Sequence, residues 1–214
     1  MLNEIARSTY LDILAEIKLR QNVVLRALNG EVALPAKIIE EICTLQFRMI
    51  AELLAIGCLI LHEDLVATKA GTLTTSTKAG QIFRKLALLH DDFFPQPLKL
   101  ERDCESKFVW RNLEGPFMTR QMLINAYEKK IAPALHRGDS RRIFKADRPV
   151  DFARIAGWHE GIYRLLDRHT VISPDRQHIC HFSMGTDDEP PACTLFEKLQ
   201  EEQWPPLDLL AVQD

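Results

Sequence analysis

MIAELLAIGCLIL, residues 49–61, is the stretch that decides the fold of this chain, because it is apolar nearly all the way round. Glu52 is its one charged residue. A surface helix carries a polar face, whereas a helix that is apolar all round is buried in a protein core or in a membrane. Thirteen residues are fewer than a membrane span requires. We therefore interpret this stretch as part of the central, buried helix of a bundle.

The helix extends toward the N-terminus as far as Pro35, a residue type favoured in a first helical turn. Its apolar residues follow one another at steps of three and four: Ile38, Ile42, Leu45, Met49, Leu53, Ile56 and Ile60. An earlier amphipathic helix is predicted from Asn3, a good N-cap, to Asn29, with Gly30 at its end. The short loop between the two helices predicts an antiparallel hairpin. We expect a homodimer formed through these N-terminal helices.

Prolines mark the breaks in the rest of the chain. A third helix is predicted over 76–90, and Pro95 and Pro97 then end helical character, because the residue before a proline is driven toward extended geometry. Thr119 can cap a further helix, which Pro133 should kink or break near 129–132. After Pro149, the patterns predict one helix and three strands, at 151–169, 170–173, 178–184 and 192–196.

The fold class that follows is mainly α within the α+β class. An antiparallel helical hairpin or bundle comes first, and a helical part ending in a small antiparallel β-hairpin or sheet follows it. The predicted divisions are a helical bundle at 1–95, an irregular linker or short strands at 96–118, a mixed part at 119–200 and an acidic tail at 201–214.

Charge is unevenly distributed over the 214 residues, although the net charge is only −3. Residues 120–148 hold eight basic and three acidic side chains, and residues 187–214 hold one basic and eight acidic ones. The basic excess favours an anion-binding face or a surface docked against the acidic tail. The five cysteines include no C-x-x-C pair and are predicted to be mostly buried thiols. The N-terminus has no secretory pattern, so we expect a cytoplasmic protein that makes no membrane contact.

The basic excess centres on APALHRGDSRRIFK, residues 132–145. Gly138 can adopt the left-handed backbone conformation that often ends a helix, and positive residues such as His136 and Arg137 are favoured at a helix C-terminus. A junction between two helices therefore explains this part of the motif. The junction does not require the basic residues that come after it. We predict an anion-binding set composed of Arg137, Arg141, Arg142, Lys145, Arg164 and Arg168.

The helix predicted over 151–169 carries Gly157 and Gly161, four residues apart, which predict either a tight helix crossing or an anion seat. Its segment Arg154-Ile-Ala-Gly-Trp-His159 is similar to the R-x4-6-H pattern of HEPN ribonucleases. That resemblance implies a helical dimer in which Arg154 and His159 cut RNA without a metal. On an ideal helix these two side chains point about 140° apart.

A second resemblance covers more of the chain. Segments 45–59 and 90–97, together with Leu135-His-Arg-Gly, are similar to uncharacterised bacterial proteins with an LHRG motif. This likeness implies a bacterial, cytoplasmic origin and no particular activity.

Motifs of the common enzyme classes do not occur in the sequence: it has no phosphate loop, no dinucleotide fingerprint, no G-x-S-x-G and no H-E-x-x-H. In a strand, His178 and Cys180 would share one side and His181 the other, so we predict no metal site there, and no cofactor. The leading hypothesis is a non-enzymatic binding or regulatory protein that contacts nucleic acid or another anion through residues 120–148, or a protein partner. The alternative is the HEPN-like ribonuclease.

Overall fold

The computed structural model describes residues 3–65, 78–135 and 149–197, and the predicted class is confirmed: the fold is mainly helical, begins with helices, and ends in strands of a small antiparallel sheet. The helices are α1 (Glu4–Leu28), α2 (Ala36–Leu61), α3 (Ala79–Leu89), α4 (Arg120–Ala126), a π-helix (Tyr127–Ile131), α5 (Ala132–Leu135) and α6 (Phe152–Leu166). The strands are β1 (Gln96–Arg102), β2 (Phe108–Asn112), β3 (Arg168–Ile172), β4 (His178–Ser183) and β5 (Ala192–Glu197).

The N-terminal hairpin forms as predicted. The side chain of Asn3 accepts a hydrogen bond from the Ile5 amide at 3.0 Å and so caps α1. Gly30 follows the end of α1 with a φ of 76°, a left-handed conformation that glycine adopts without strain. Pro35 stands at the N-cap of α2. Local sequence signals therefore set both ends of the loop.

The face of α2 that is buried differs from the regular apolar stripe of the sequence. Core side chains of α2 include Ile39, Cys43, Phe47, Ile50, Leu54, Cys58 and Leu61. The stripe turns outward instead, with Ile38, Leu45 and Ile56 exposed to 40%, 44% and 42%. The helix is apolar on both sides, so periodicity alone does not decide which side faces the core.

The full helix α2 has 26 residues, twice the stretch considered above. Among the described helices it is the one long and apolar enough to cross a membrane by length and composition, and half of its most apolar window is buried inside the fold. A core helix of a globular protein meets the same criteria.

A π-helix replaces the predicted kink before Pro133. Thr119 caps α4 by accepting a hydrogen bond from the Met122 amide, as expected. Proline has no N–H, so Pro133 cannot bond the Lys129 carbonyl in the α-helical pattern. The wider turn over Tyr127–Ile131 accommodates the missing bond without ending the helix.

The sheet has the order β2-β1-β3-β4-β5, and all neighbouring strands are antiparallel. Segment 96–118, predicted as an irregular linker or short strands, contains the β1–β2 hairpin. Gln96 and Pro97 at the start of β1 pair with Thr170 and His169 of β3. The hairpin is therefore continuous with the sheet formed by the C-terminal strands.

The inner face of the sheet packs against α1. Tyr10 of α1 donates to or accepts from His169 Nε2 at 3.0 Å and lies 4.6 Å, centroid to centroid, from the ring of Phe182. All three side chains are fully buried. Cys43, Cys58 and Cys180 are buried in the core as predicted, Cys193 is half-buried, and Cys104 is exposed.

Candidate nucleic-acid interface

The outer face of the sheet is the most distinctive surface of the described residues. Side chains alternate between the two faces of a strand, and the strand register fixes which positions share a face. The outward positions are Gln96, Leu98, Leu100, Arg102, Phe108, Trp110, Asn112, Arg168, Thr170, Ile172, Ile179, His181, Ser183, Ala192, Thr194 and Phe196. They hold three aromatic rings, one histidine and two arginines, and none of these positions holds a carboxylate.

The β1–β2 hairpin curls over this face. Trp110 belongs to β2, the edge strand beside β1, yet its ring lies 4.8 Å from the ring of His181 on β4, three strands away in the sheet. A flat sheet would hold such positions well over 10 Å apart, because neighbouring strands are about 4.8 Å apart. Curling therefore assembles side chains that are distant in both sequence and strand order.

Two arginines stack on aromatic rings across this curled surface. The guanidinium carbon of Arg168 lies 5.2 Å from the centre of the Trp110 ring, and that of Arg102 lies 4.9 Å from the centre of the Phe108 ring. Both arginines are exposed, and Phe108 is 46% exposed. Neither arginine forms an ion pair within the described part of the chain. A guanidinium held over an aromatic ring keeps N–H groups that can bind an anion.

His181 contributes a ring more than a charge. Burial, and then the neighbouring positive charge of Arg168, lower its pKa below the ordinary 6.5, so the imidazole is neutral at pH 7. Its Nε2 atom is buried and makes no hydrogen bond to any described residue. The surface thus offers a cluster of Trp110, His181 and Arg168, with Phe108 and Arg102 beside it.

The predicted anion-binding residues divide into two groups. Arg168 lies in this cluster. Arg164 lies in the last turn of α6 and is half-buried. One of its guanidinium nitrogens lies near Gly115, 3.6 Å from where a side-chain carbon at that glycine would be. Arg137, Arg141, Arg142 and Lys145 lie outside the described residues. In the described portion of 120–148, Lys129 and Lys130 are exposed on the π-helix.

Arg154 and His159, the pair suggested by the HEPN resemblance, occupy different surroundings. Arg154 pairs with Glu40 of α2 at 3.1 Å and with Asp151 at 3.3 Å, and its guanidinium carbon lies 5.4 Å from the centre of the Trp158 ring. His159 is half-buried, and burial lowers its pKa. The helix is regular over Phe152–Leu166, so the separation of about 140° around the axis applies.

The glycines of α6 do not form a helix crossing. The carbonyl of Gly161 accepts a hydrogen bond from the Met118 amide at 2.8 Å, so the chain segment before α4 makes the close approach. A side-chain carbon at Gly157 would meet no atom of the described residues within 4 Å.

Sequence reasoning missed Phe108, Trp110 and Arg102, because the segment that carries them was assigned to a linker or short strands. The sequence of this segment does carry a signal of β-strands. Leu98 and Leu100 alternate with Lys99 and Glu101, which is the period of a strand, and Phe108, Val109 and Trp110 are aromatic and β-branched residues of the kind enriched in strands. Their meeting with Arg168 and His181 depends on the curl of the sheet, which no local pattern predicts.

Comparisons of the chain with protein-family models, with curated proteins and with solved structures find no match.

Proposed function

We propose that this protein binds single-stranded nucleic acid on the outer face of its sheet, through Phe108, Trp110, Arg102 and Arg168. One observation carries the proposal: two arginines, each stacked on an aromatic ring, lie on a sheet face whose outward positions hold no carboxylate. Proteins that bind single strands combine aromatic rings, on which bases stack, with positive charges that track the backbone.

Single strands fit this surface better than a duplex does. A base offers its flat face to an aromatic ring only when it is unstacked from its neighbours, which duplex DNA prevents. The described outer face also carries only two full positive charges, and the chain has a net charge of −3, so long-range attraction for a duplex is weak. Binding therefore depends on stacking more than on charge.

The test is a titration of purified protein into fluorescently labelled, mixed-sequence oligonucleotides, measured by fluorescence anisotropy. Single-stranded RNA, single-stranded DNA and duplex DNA form the three arms, and we expect either single strand to bind more tightly than the duplex. Phe108→Ala should weaken single-strand binding roughly 5- to 150-fold, because stacking contributes about 1–3 kcal/mol per base.

Arg102→Gln tests the charged half of the surface. Removal of one phosphate contact should reduce the slope of log K against log salt by about 0.7 for a single strand. Leu19→Ala and Arg26→Gln on α1 are matched controls, because both residues are exposed and lie on the helix that packs against the opposite face of the sheet. An affinity that Phe108→Ala leaves unchanged would reject the proposal, as would no binding at 50 mM salt and micromolar protein.

The same assay separates this surface from the basic stretch. If Arg141, Arg142 and Lys145 hold the nucleic acid, their replacement by Gln should weaken binding and reduce the salt slope while Phe108→Ala has no effect. RNA recovered after incubation in EDTA should be intact. Cleavage that His159→Ala abolishes would instead support the HEPN-like ribonuclease.

A further inference from the structure

The outward stripe of α2 is symmetric about its own centre. Met49 stands in the middle, with Leu45 and Leu53 four residues away, Ile42 and Ile56 seven residues away, and Ile38 and Ile60 eleven residues away. Each pair consists of the same residue type at the same distance on either side. Read in either direction, the stripe presents the same seven side chains.

All seven side chains point the same way. At 3.6 residues per turn, each lies within about 40° of the direction of Met49, and the stripe runs about 33 Å along the helix. Ile38, Leu45 and Ile56 are exposed, and the other four are half-buried. A continuous apolar strip of this length on a helix is more than scattered surface hydrophobicity.

Described neighbours flank the stripe and leave it partly exposed along its length. On one side, the Tyr10 ring of α1 packs so closely on Gly57 that an added side-chain carbon there would lie 2.8 Å from it. On the other side, the Tyr127 hydroxyl of the π-helix donates to Glu52 at 2.8 Å. These contacts place one neighbour on each side of α2, with the stripe between them.

We propose that α2 pairs with α2 of a second copy of this chain, antiparallel, with the two-fold axis at Met49. A two-fold interface must be complementary to itself, so that residue i of one copy meets residue j of the other and j meets i. An antiparallel pair centred on Met49 meets this condition along its whole length: Ile38 faces Ile60, Ile42 faces Ile56, and Leu45 faces Leu53.

The charges beside the stripe fit the same arrangement. Arg48 and Glu52 form an ion pair at 2.9 Å within one helix, and their side chains are 37% and 23% exposed. In the antiparallel pair, Arg48 of one copy comes beside Glu52 of the other, on the same side of the interface. The two intrahelical pairs then form a neutral group of four charges around the axis. Along the helix axis, Arg48 of one copy is offset by about 3 Å from both Glu52 and Arg48 of the other. A parallel pair would instead place Arg48 directly opposite Arg48 and Glu52 opposite Glu52, so the charges favour the antiparallel orientation.

The state of the full chain in solution provides the first test, by size-exclusion chromatography with light scattering. We expect twice the chain mass of 24.5 kDa at micromolar concentration. Leu45→Arg and Ile56→Arg each place two unpaired charges in the apolar seam and should give a monomer with an unchanged circular dichroism spectrum. Leu88→Arg on α3 is the matched control, because Leu88 is 85% exposed and lies off the stripe. That variant should remain dimeric.

Disulfide trapping tests the register directly, in a Cys104→Ser background that removes the exposed native thiol. Met49→Cys should cross-link to itself on mild oxidation, because the two copies meet at that residue. Ile38→Cys alone should not cross-link, whereas a mixture of Ile38→Cys and Ile60→Cys chains should. A monomeric full chain, or cross-linking of Ile38→Cys to itself as in a parallel pair, would overturn the proposal.

Discussion

At the scale of single residues, His62 and His169 stand out as fully buried imidazoles in the core. Leu166 offers a carbonyl to His169 Nδ1 at 3.0 Å, so Nδ1 carries the proton and Nε2 accepts the Tyr10 hydroxyl hydrogen. His62 lies between the carbonyls of Cys58 and Ile172, at 2.9 and 3.2 Å. Burial outweighs these hydrogen bonds and lowers the pKa of each histidine to about 4.

These histidines make stability depend on pH. In the unfolded chain they take up protons near pH 6.5, whereas in the folded protein they do so only near pH 4. Above pH 6.5 both histidines are neutral in the folded and in the unfolded chain, so folding requires no loss of a proton. As the pH falls from 6.5 toward 4, protonation favours the unfolded chain and stability is lost. We expect the free energy of unfolding to fall by about 2 kcal/mol per histidine between pH 7 and pH 5. Urea unfolding at these two pH values measures the change.

A His169→Gln variant identifies the source of the effect. It should be less stable than the parent at pH 7, because the bond to Tyr10 is disturbed, but it should lose about 2 kcal/mol less on going to pH 5. If the variant loses as much stability as the parent over that interval, His169 is not among the groups that titrate.

At the scale of elements, the sequence predicted the N-terminal caps of helices better than their buried faces or their C-terminal ends. The helix predicted over 151–169 ends at Leu166, and Arg168 and His169 belong to β3. Asn3, Thr119 and Asp151 each accept a hydrogen bond from the first turn of the helix they precede, and short-range chemistry of this kind is visible in the sequence. The sequence did not predict the orientation of α2. Leu53 and Leu54 are equally apolar, and only their neighbours in space bury Leu54 fully and leave Leu53 half-buried.

Two glycines in helices test how closely the elements pack. Gly57 of α2 lies against the buried Tyr10 ring, which also contacts His169 and Phe182 and so has little room to shift. We expect Gly57→Ala to lower the free energy of unfolding by about 1–3 kcal/mol through overpacking. Urea unfolding at pH 7 provides the measurement.

Gly157→Ala on α6 is the matched control, since an added methyl group there meets no described atom within 4 Å. It should stabilise the protein by about 0.4–1 kcal/mol, because alanine loses less backbone entropy than glycine when a helix forms. Equal destabilisation by both variants would show that helix context, and not the contact with Tyr10, determines the effect.

At the scale of the whole molecule, contacts between the two ends of the chain join the helices to the sheet. Lys18 of α1 donates to the carbonyls of Met184 and Glu189, at 3.3 and 2.8 Å, and also to that of Thr186, in the segment between β4 and β5. Three carbonyl acceptors satisfy all three protons of the ammonium group. The first helix and the last strands therefore fold against each other.

The candidate interface also emerges only at this scale. Arg164 and Arg168 were selected from the sequence by their charge, but charge did not distinguish Arg168, which stacks on Trp110, from Arg164. The distinction comes from β2, nearly sixty residues earlier in the chain, and from the curl that brings it to β4. Local sequence patterns do not predict contacts between distant segments, so the sequence indicated Arg168 as a candidate but not Trp110 as its partner.

If helices and sheet share one core, they should unfold in one cooperative transition, which two tryptophans can report separately. Trp158 packs on Phe47 between α6 and α2, at 5.5 Å between ring centres, and Trp110 lies on the sheet. In a Trp204→Phe background, Trp110→Phe leaves Trp158 as the reporter, and Trp158→Phe leaves Trp110 as the reporter. For each variant, tryptophan fluorescence and far-ultraviolet circular dichroism should give the same urea midpoint, because Tyr10 and Lys18 tie α1 to the sheet. Midpoints that differ between the two signals within one variant would instead show that the predicted helical bundle at 1–95 and the mixed part at 119–200 unfold as separate units.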